Sequence, residues 1–145
     1  MALPYYKIWT QASGEAPLYL TTIDEAELQV KSSSLNDYQL WYAVEQFAPA
    51  QGAPGLLLIN KGSSLAIDAP DDNSQVVLAD PDAVQRGTWN FVANNTVFQL
   101  AASTGQNLCV DQSVPIGDGS RVFTWNWGGG GATYLWNFSF VGFSQ

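Results

Sequence analysis

The chain has 145 residues, the size of one domain, and at 46% hydrophobic and 12% charged it can bury a core and is no disordered segment. Its net charge of −8 argues against nucleic acid and anionic lipid as partners, which want a basic face, although such acidity also simply keeps a protein in solution. A count of 1 Cys and 0 His removes the internal disulfide, the usual general base and the usual zinc ligand together.

In chain order, Tyr5 to Trp9 is β-branched or aromatic and predicts a first strand. Ala12 to Glu15 predicts a hairpin turn, with Gly14 able to take a positive φ. Leu18 to Thr21 is the return strand, Glu27 to Lys31 an alternating third strand, and Tyr38 to Val44 a fourth. Phe47 to Gly55 mixes prolines and glycines with small residues and reads as a connection too short for a domain linker. The order then repeats. Gly55 to Asn60 is a strand, Lys61 to Ser63 a turn, Leu65 to Asp68 a strand, Gln75 to Leu78 a strand, Asp80 to Gly87 a loop and Thr88 to Val92 a strand. Asn94-Asn95 turns the chain into a third copy from Val97, with Thr104 to Gln106 as its hairpin turn.

Three markers phase the copies. Gly14, Gly62 and Gly105 recur at spacings of 48 and 43 residues; Leu18, Leu65 and Leu108 at 47 and 43; Trp41, Trp89 and Trp136 at 48 and 47. Such self-similarity signals a repeat architecture, with copies at roughly 5–50, 51–95 and 96–145 in a single domain spanning 1–145. No sustained helical period appears, so each copy holds about four strands. Three blades fall short of a propeller, so one small barrel closed by three copies is the expected all-β solution. Cys109, between Leu108 and Val110, is expected to be a small core residue.

On these residues the chain resembles the ricin-B-like β-trefoil lectins over nearly its whole length. Gln39-Leu40-Trp41 keeps the family's Gln-x-Trp signature, whereas Arg86-Gly87-Thr88-Trp89 and Thr133-Tyr134-Leu135-Trp136 lose it. The resemblance implies a β-trefoil of three repeats in which the three closing tryptophans are buried. It also implies where sugar would sit: an Asp just after the second strand of a copy, and an aromatic at the end of a Val-x-Leu-aromatic strand. A sugar needs both a hydrogen-bonding fork for its hydroxyls and a flat apolar face for its C–H side.

The third copy holds the fullest set, with Asp111 after Leu108-Cys109-Val110, then Val122-Phe123-Thr124-Trp125 and Asn126. Phe123, Trp125 and Trp127 share one strand face by period 2, and such a stripe reads as core or as a ligand platform, with Trp125 the member expected to be exposed. The glycines 128–131 read as a flexible loop or as a close approach of backbone to a ligand. In the second copy Asp68 and Asp80 keep polar groups, while Ala79 replaces the aromatic. In the first copy Thr21 and Lys31 replace Asp and aromatic, leaving Asp24, Asn36 and Asp37 as substitutes. Each lone Asp can equally be a turn or cap residue.

The expected function is therefore non-catalytic carbohydrate binding, with galactose or N-acetylgalactosamine glycans or glycoproteins as partners and defence as the setting that the resemblance implies. A β-trefoil protease inhibitor acting through an exposed loop is the rival reading. Without His no Ser/His or Cys/His set can form, and Asp68 with Asp80 is the only carboxylate pair that could suggest glycoside hydrolysis. No cofactor or metal is expected. The first nine residues lack the apolar run of a signal peptide and no stretch approaches the ~20 apolar residues of a membrane span, so the cytoplasm is the expected location unless export is unconventional, with no membrane insertion. Asn94-Asn95-Thr96 and Asn137-Phe138-Ser139 match the glycosylation pattern and read as chance without a secretory signal. A homodimer would give a shallow site useful avidity.

Overall fold

The structure, a computed structural model, describes residues 2–12, 16–24, 27–34, 36–46, 52–103, 105–111, 113, 115–126 and 131–144. The expected turn at 13–15, most of the connection at 47–51, Thr104, Trp127 and glycines 128–130 lie outside the described residues.

Strands β1 (Pro4–Thr10), β2 (Tyr19–Ile23), β3 (Glu27–Lys31) and β4 (Trp41–Gln46) make up the first copy. The second holds β5 (Gly55–Asn60), β6 (Ala66–Asp68), β7 (Val77–Ala79) and β8 (Trp89–Val92), and the third β9 (Val97–Leu100), β10 (Gln106–Val110), β11 (Ser120–Asn126) and β12 (Trp136–Phe143). Helical backbone among the described residues is confined to three single 3-10 turns, at Asp37–Gln39, Pro81–Ala83 and Ala132–Tyr134. The chain is all-β and every ladder is antiparallel.

The outer strands of each copy form one ring. Strand β12 pairs with β1, β1 with β4, β4 with β5, β5 with β8, and β8 with β9. The Trp136 N–H at the head of β12 donates to the Thr96 carbonyl just before β9 at 2.8 Å and bridges the remaining gap. The inner strands of each copy form a hairpin: β2–β3, β6–β7 and β10–β11. Hairpin β2–β3 also meets hairpin β10–β11 through Val30 opposite Ser120.

The closing tryptophans knit ring to hairpins. Trp41, Trp89 and Trp136 are fully buried, as the resemblance implied. Each also satisfies its indole N–H on a hairpin carbonyl, since a buried indole needs a partner. Trp41 donates to Leu20 at 3.0 Å, Trp89 to Ile67 at 3.4 Å and Trp136 to Leu108 at 3.0 Å. Ile8, Leu58, Phe98 and Val122 fill the space between them, and Phe98 stacks on Trp136 with ring planes 7° apart. Cys109 is buried on β10, a strand buried along its whole length.

Two expected elements shift. The strand expected from Tyr38 begins only at Trp41, because Asn36 accepts the Tyr38 N–H on its side chain and the Leu40 N–H reaches back to Asp37, bending the chain into a 3-10 turn. Alternation could not distinguish that turn from a strand, since Gln39 inside it is buried like a strand residue. The strand expected from Gln75 begins at Val77, Gln75 making only an isolated bridge to Phe123.

The turn glycine of the second copy is needed for closeness rather than handedness: a Cβ at Gly62 would lie 2.8 Å from the Tyr38 ring, while the left-handed residue of that turn is Ser64, at φ 63°.

Replacing any one of Trp41, Trp89 or Trp136 with Ala is expected to cost about 3–5 kcal/mol in denaturant unfolding, from lost burial and an unmatched carbonyl. Because Cys109 is a buried thiol, reducing agent should leave the melting temperature where it was; a large drop would reveal a disulfide to another chain.

Candidate functional site

Hairpin β10–β11 lines a recess of the third copy. Cross-strand pairing puts Cys109 opposite Phe123, Asn107 opposite Trp125 and Gln106 opposite Asn126. Val122 and Thr124 point into the core, so Phe123 and Trp125, one residue out of phase, point away from it. The core reading of that stripe is thereby corrected for these two residues: Phe123 is half-buried and Trp125 is 44% exposed. They line a cleft of about 510 Å³ together with Cys109, Val110, Asp111, Ser113 and Tyr134.

Asp111 leaves β10 with its N–H tied to the Arg121 carbonyl at 2.9 Å, which fixes where its side chain emerges. Its Oδ1 accepts the Ser113 hydroxyl at 2.7 Å and the Ser113 N–H at 2.9 Å, an Asx-type turn. The Ser113 hydroxyl and then its N–H hold the Asp111 carboxyl below the usual carboxylate range, against a smaller opposing effect of burial. A carboxylate so held stays charged as pH falls into the ordinary carboxylate range. That turn uses Oδ1 alone, so the carboxylate keeps acceptor capacity on Oδ2.

Tyr134 forms the far wall. It is buried and occupies the position of Gln in the first copy's Gln-x-Trp, and its hydroxyl donates to the Asn126 backbone carbonyl. Sequence reasoning passed over Tyr134 and Ser113; the phasing of Tyr134 with Gln39, two residues before the closing tryptophan, was the available signal.

Asn126 does not join the cleft. Its Oδ1 accepts from Gln106 Nε2 at 2.9 Å, and its N–H donates to Asn73 Oδ1 at 3.2 Å. Asn73 and Gln106 exchange two further bonds, at 2.8 and 2.9 Å. Asn126 thus helps to clasp the β6–β7 loop of the second copy onto the third, and the structure does not bring it to the cleft with Asp111 and Trp125: as the residue after Trp125, it falls on the opposite strand face.

In the second copy Asp68 is 3% exposed and committed to backbone. Its Oδ1 accepts the N–H groups of Ala69 at 2.9 Å and Arg86 at 3.1 Å, and its Oδ2 accepts that of Gln85 at 2.9 Å. Gly87 permits this approach, since a Cβ there would stand 2.3 Å from the Ile67 carbonyl oxygen. Asp68 is thus a brace between β6 and the 85–87 segment, not an open ligand fork. Asp80 is exposed at the head of the Pro81–Ala83 turn and makes no side-chain cap there.

In the first copy Thr21 is buried, donating to the Tyr19 carbonyl at 2.8 Å and accepting from Gln39 at 3.1 Å. Lys31 pairs with Asp118 at 3.3 Å and Asp37 with Lys61 at 3.1 Å, while Asn36 caps Tyr38. Asp24 and the exposed Tyr38 line a smaller hollow of about 240 Å³. Among the described residues no cluster of His, Cys, Asp and Glu could hold a metal ion.

The sequence matches no family model and no curated protein sequence. Its fold does have counterparts among solved structures. The designed three-fold symmetric protein ThreeFoil superimposes with a TM-score of 0.72 at 21% identity, over 93% of this chain and 97% of that one. The C-half of an earthworm R-type lectin, solved with GalNAc, gives 0.70 at 16% identity over 95% and 99%. A ricin B-like lectin of Macrolepiota procera, solved with lactose, gives 0.70 at 17% identity over 93% and 94%. The chain shares the fold of these proteins.

Asp68 and Trp125 should respond differently to truncation. Asp68→Ala is expected to cost about 1–3 kcal/mol of stability, since one buried and two partly buried N–H groups lose their acceptor. Trp125→Ala, at an exposed position, should stay within about 0.5 kcal/mol of the parent in the same unfolding titration.

Proposed function

We propose that this chain is a β-trefoil carbohydrate-binding protein without catalytic activity, and that its working site is the third-copy cleft. The carrying observation is the convergence of the charged Asp111 carboxylate and the exposed Trp125 ring on one recess large enough for a sugar. The ring of outer strands, with one inner hairpin per copy and three equivalent tryptophans, supports the trefoil reading. The GalNAc of the earthworm lectin and the lactose of the mushroom lectin support galactose-type glycans as ligands.

In this reading Asp111 accepts hydrogen bonds from neighbouring hydroxyls, and the indole of Trp125 covers the ring's C–H face. Phe123 and Tyr134 complete the apolar wall. With Asp68 closed to ligand and Asp111 alone of the candidate acids in the cleft, one site per chain is proposed. Useful avidity then calls for a second subunit or for multivalent glycoproteins.

A glycan array on the recombinant protein, followed by titration of the best glycan, tests the proposal. Asp111→Asn and Trp125→Ala, each with the parent's melting temperature, should weaken binding about tenfold or more. Unchanged affinity in both variants would move the site out of the third copy. An array without any hit, together with capture of an immobilised protease, would favour the inhibitor reading.

A further inference from the structure

The polar groups around the third-copy cleft are unbalanced. Among its described lining side chains, Asp111 is the one charged group and is held ionised by its own turn. The hydroxyl protons of both Ser113 and Tyr134 are already donated, to Asp111 and to the Asn126 carbonyl. Asn126 is not part of the cleft lining: its Oδ1 accepts from Gln106 and its backbone N–H donates to Asn73 in the clasp with the second copy. The nearest guanidinium, Arg121, is drawn to Glu27 at 3.2 Å on β3. The described side chains of the cleft therefore offer a negative acceptor, three aromatic rings from Phe123, Trp125 and Tyr134, and the indole N–H of Trp125 as a neutral donor.

A neutral hexose, with several hydroxyls, outnumbers the neutral donors of such a lining. Each of its hydroxyls both gives and takes a hydrogen bond, and the acceptor half needs protein donors. A protonated amine has donors only, carries the charge that complements a carboxylate, and is attracted to the faces of aromatic rings. The chain's net charge of −8 also draws cations toward it.

We propose that the third-copy cleft selects a sugar bearing a free, protonated amine, a 2-amino-2-deoxyhexose unit, with the ammonium group on the Asp111 carboxylate and between the aromatic rings. This rests on the reading of the cleft as a sugar site and names which member of the hexose class it prefers. Acetylating the amine removes the charge and adds a carbonyl acceptor for which the described lining has no uncommitted hydroxyl donor.

The test uses one sugar skeleton in three states, D-galactosamine, N-acetylgalactosamine and galactose, titrated at low ionic strength into the full chain and followed by calorimetry. Choline serves as a cation without a sugar ring. Galactosamine is expected to bind at least about tenfold more tightly than either neutral sugar, the scale of one charge-assisted hydrogen bond. Asp111→Asn, checked for an unchanged melting temperature, should abolish that preference, and Trp125→Ala should weaken all three sugars. If the neutral sugars bind as well as galactosamine and both variants weaken them, the amine preference is overturned while the sugar site stands. If choline binds as well as galactosamine, the cleft reads a bare cation and the amino-sugar assignment is overturned. If no sugar binds, or if the variants alter none of the affinities, the inference and the sugar site fall together.

Discussion

Three buried tryptophans and the carbonyls that receive their indole N–H groups are the constraint from which the rest of this structure follows. An indole cannot be buried cheaply with its N–H unmatched. Each closing tryptophan can enter the core only where a hairpin strand presents a carbonyl to it. That condition ties the start of the last strand of each copy to that copy's hairpin. Positions two residues before each tryptophan are then held at fixed places relative to the hairpin, whatever residue stands there.

What stands there decides the character of each copy. Gln39 fills its place with a buried amide bonded to Thr21, Ser32 and Ser34, and the copy-one hairpin has no acid to offer. Gly87 leaves a gap into which backbone moves, and Asp68 turns inward to hold it. Tyr134 supplies a ring wall whose hydroxyl is tied back to β11, and Asp111 stays at the surface. One scaffold position thus yields a polar plug, a backbone brace and a cleft.

The fold was largely legible in the sequence because its signals are periodic. Turn glycines, strand leucines and closing tryptophans repeat with the copies, and the alternation of Glu27 to Lys31 marks β3 residue for residue. The site was legible only in part. Asp111 and Trp125 could be found from the pattern, but Asp68 has the same sequence context as Asp111 and the opposite fate. The difference lies in Gly87, nineteen residues downstream, whose missing side chain lets the 85–87 backbone approach. Asn126 was misplaced for a simpler reason: adjacency to Trp125 in the chain means opposite faces on a strand, and its partners Asn73 and Gln106 come from elsewhere. Tyr38 looked like a strand residue because the side chain of Asn36, not any periodicity, bends the chain there.

The clasp of Asn73 with Gln106 and Asn126 bears on how such a molecule comes apart. In a solenoid, neighbouring repeats stack and the chain can shorten by one unit and still fold. Here a loop of the second copy supplies hydrogen bonds at the open end of the third copy's hairpin, and Thr124 reaches the Ser74 carbonyl in the same seam. Neither copy is whole without the other. Sequence repetition in this chain records interlocked parts rather than interchangeable modules, so the copies can diverge in chemistry while the second and third stay joined by this seam.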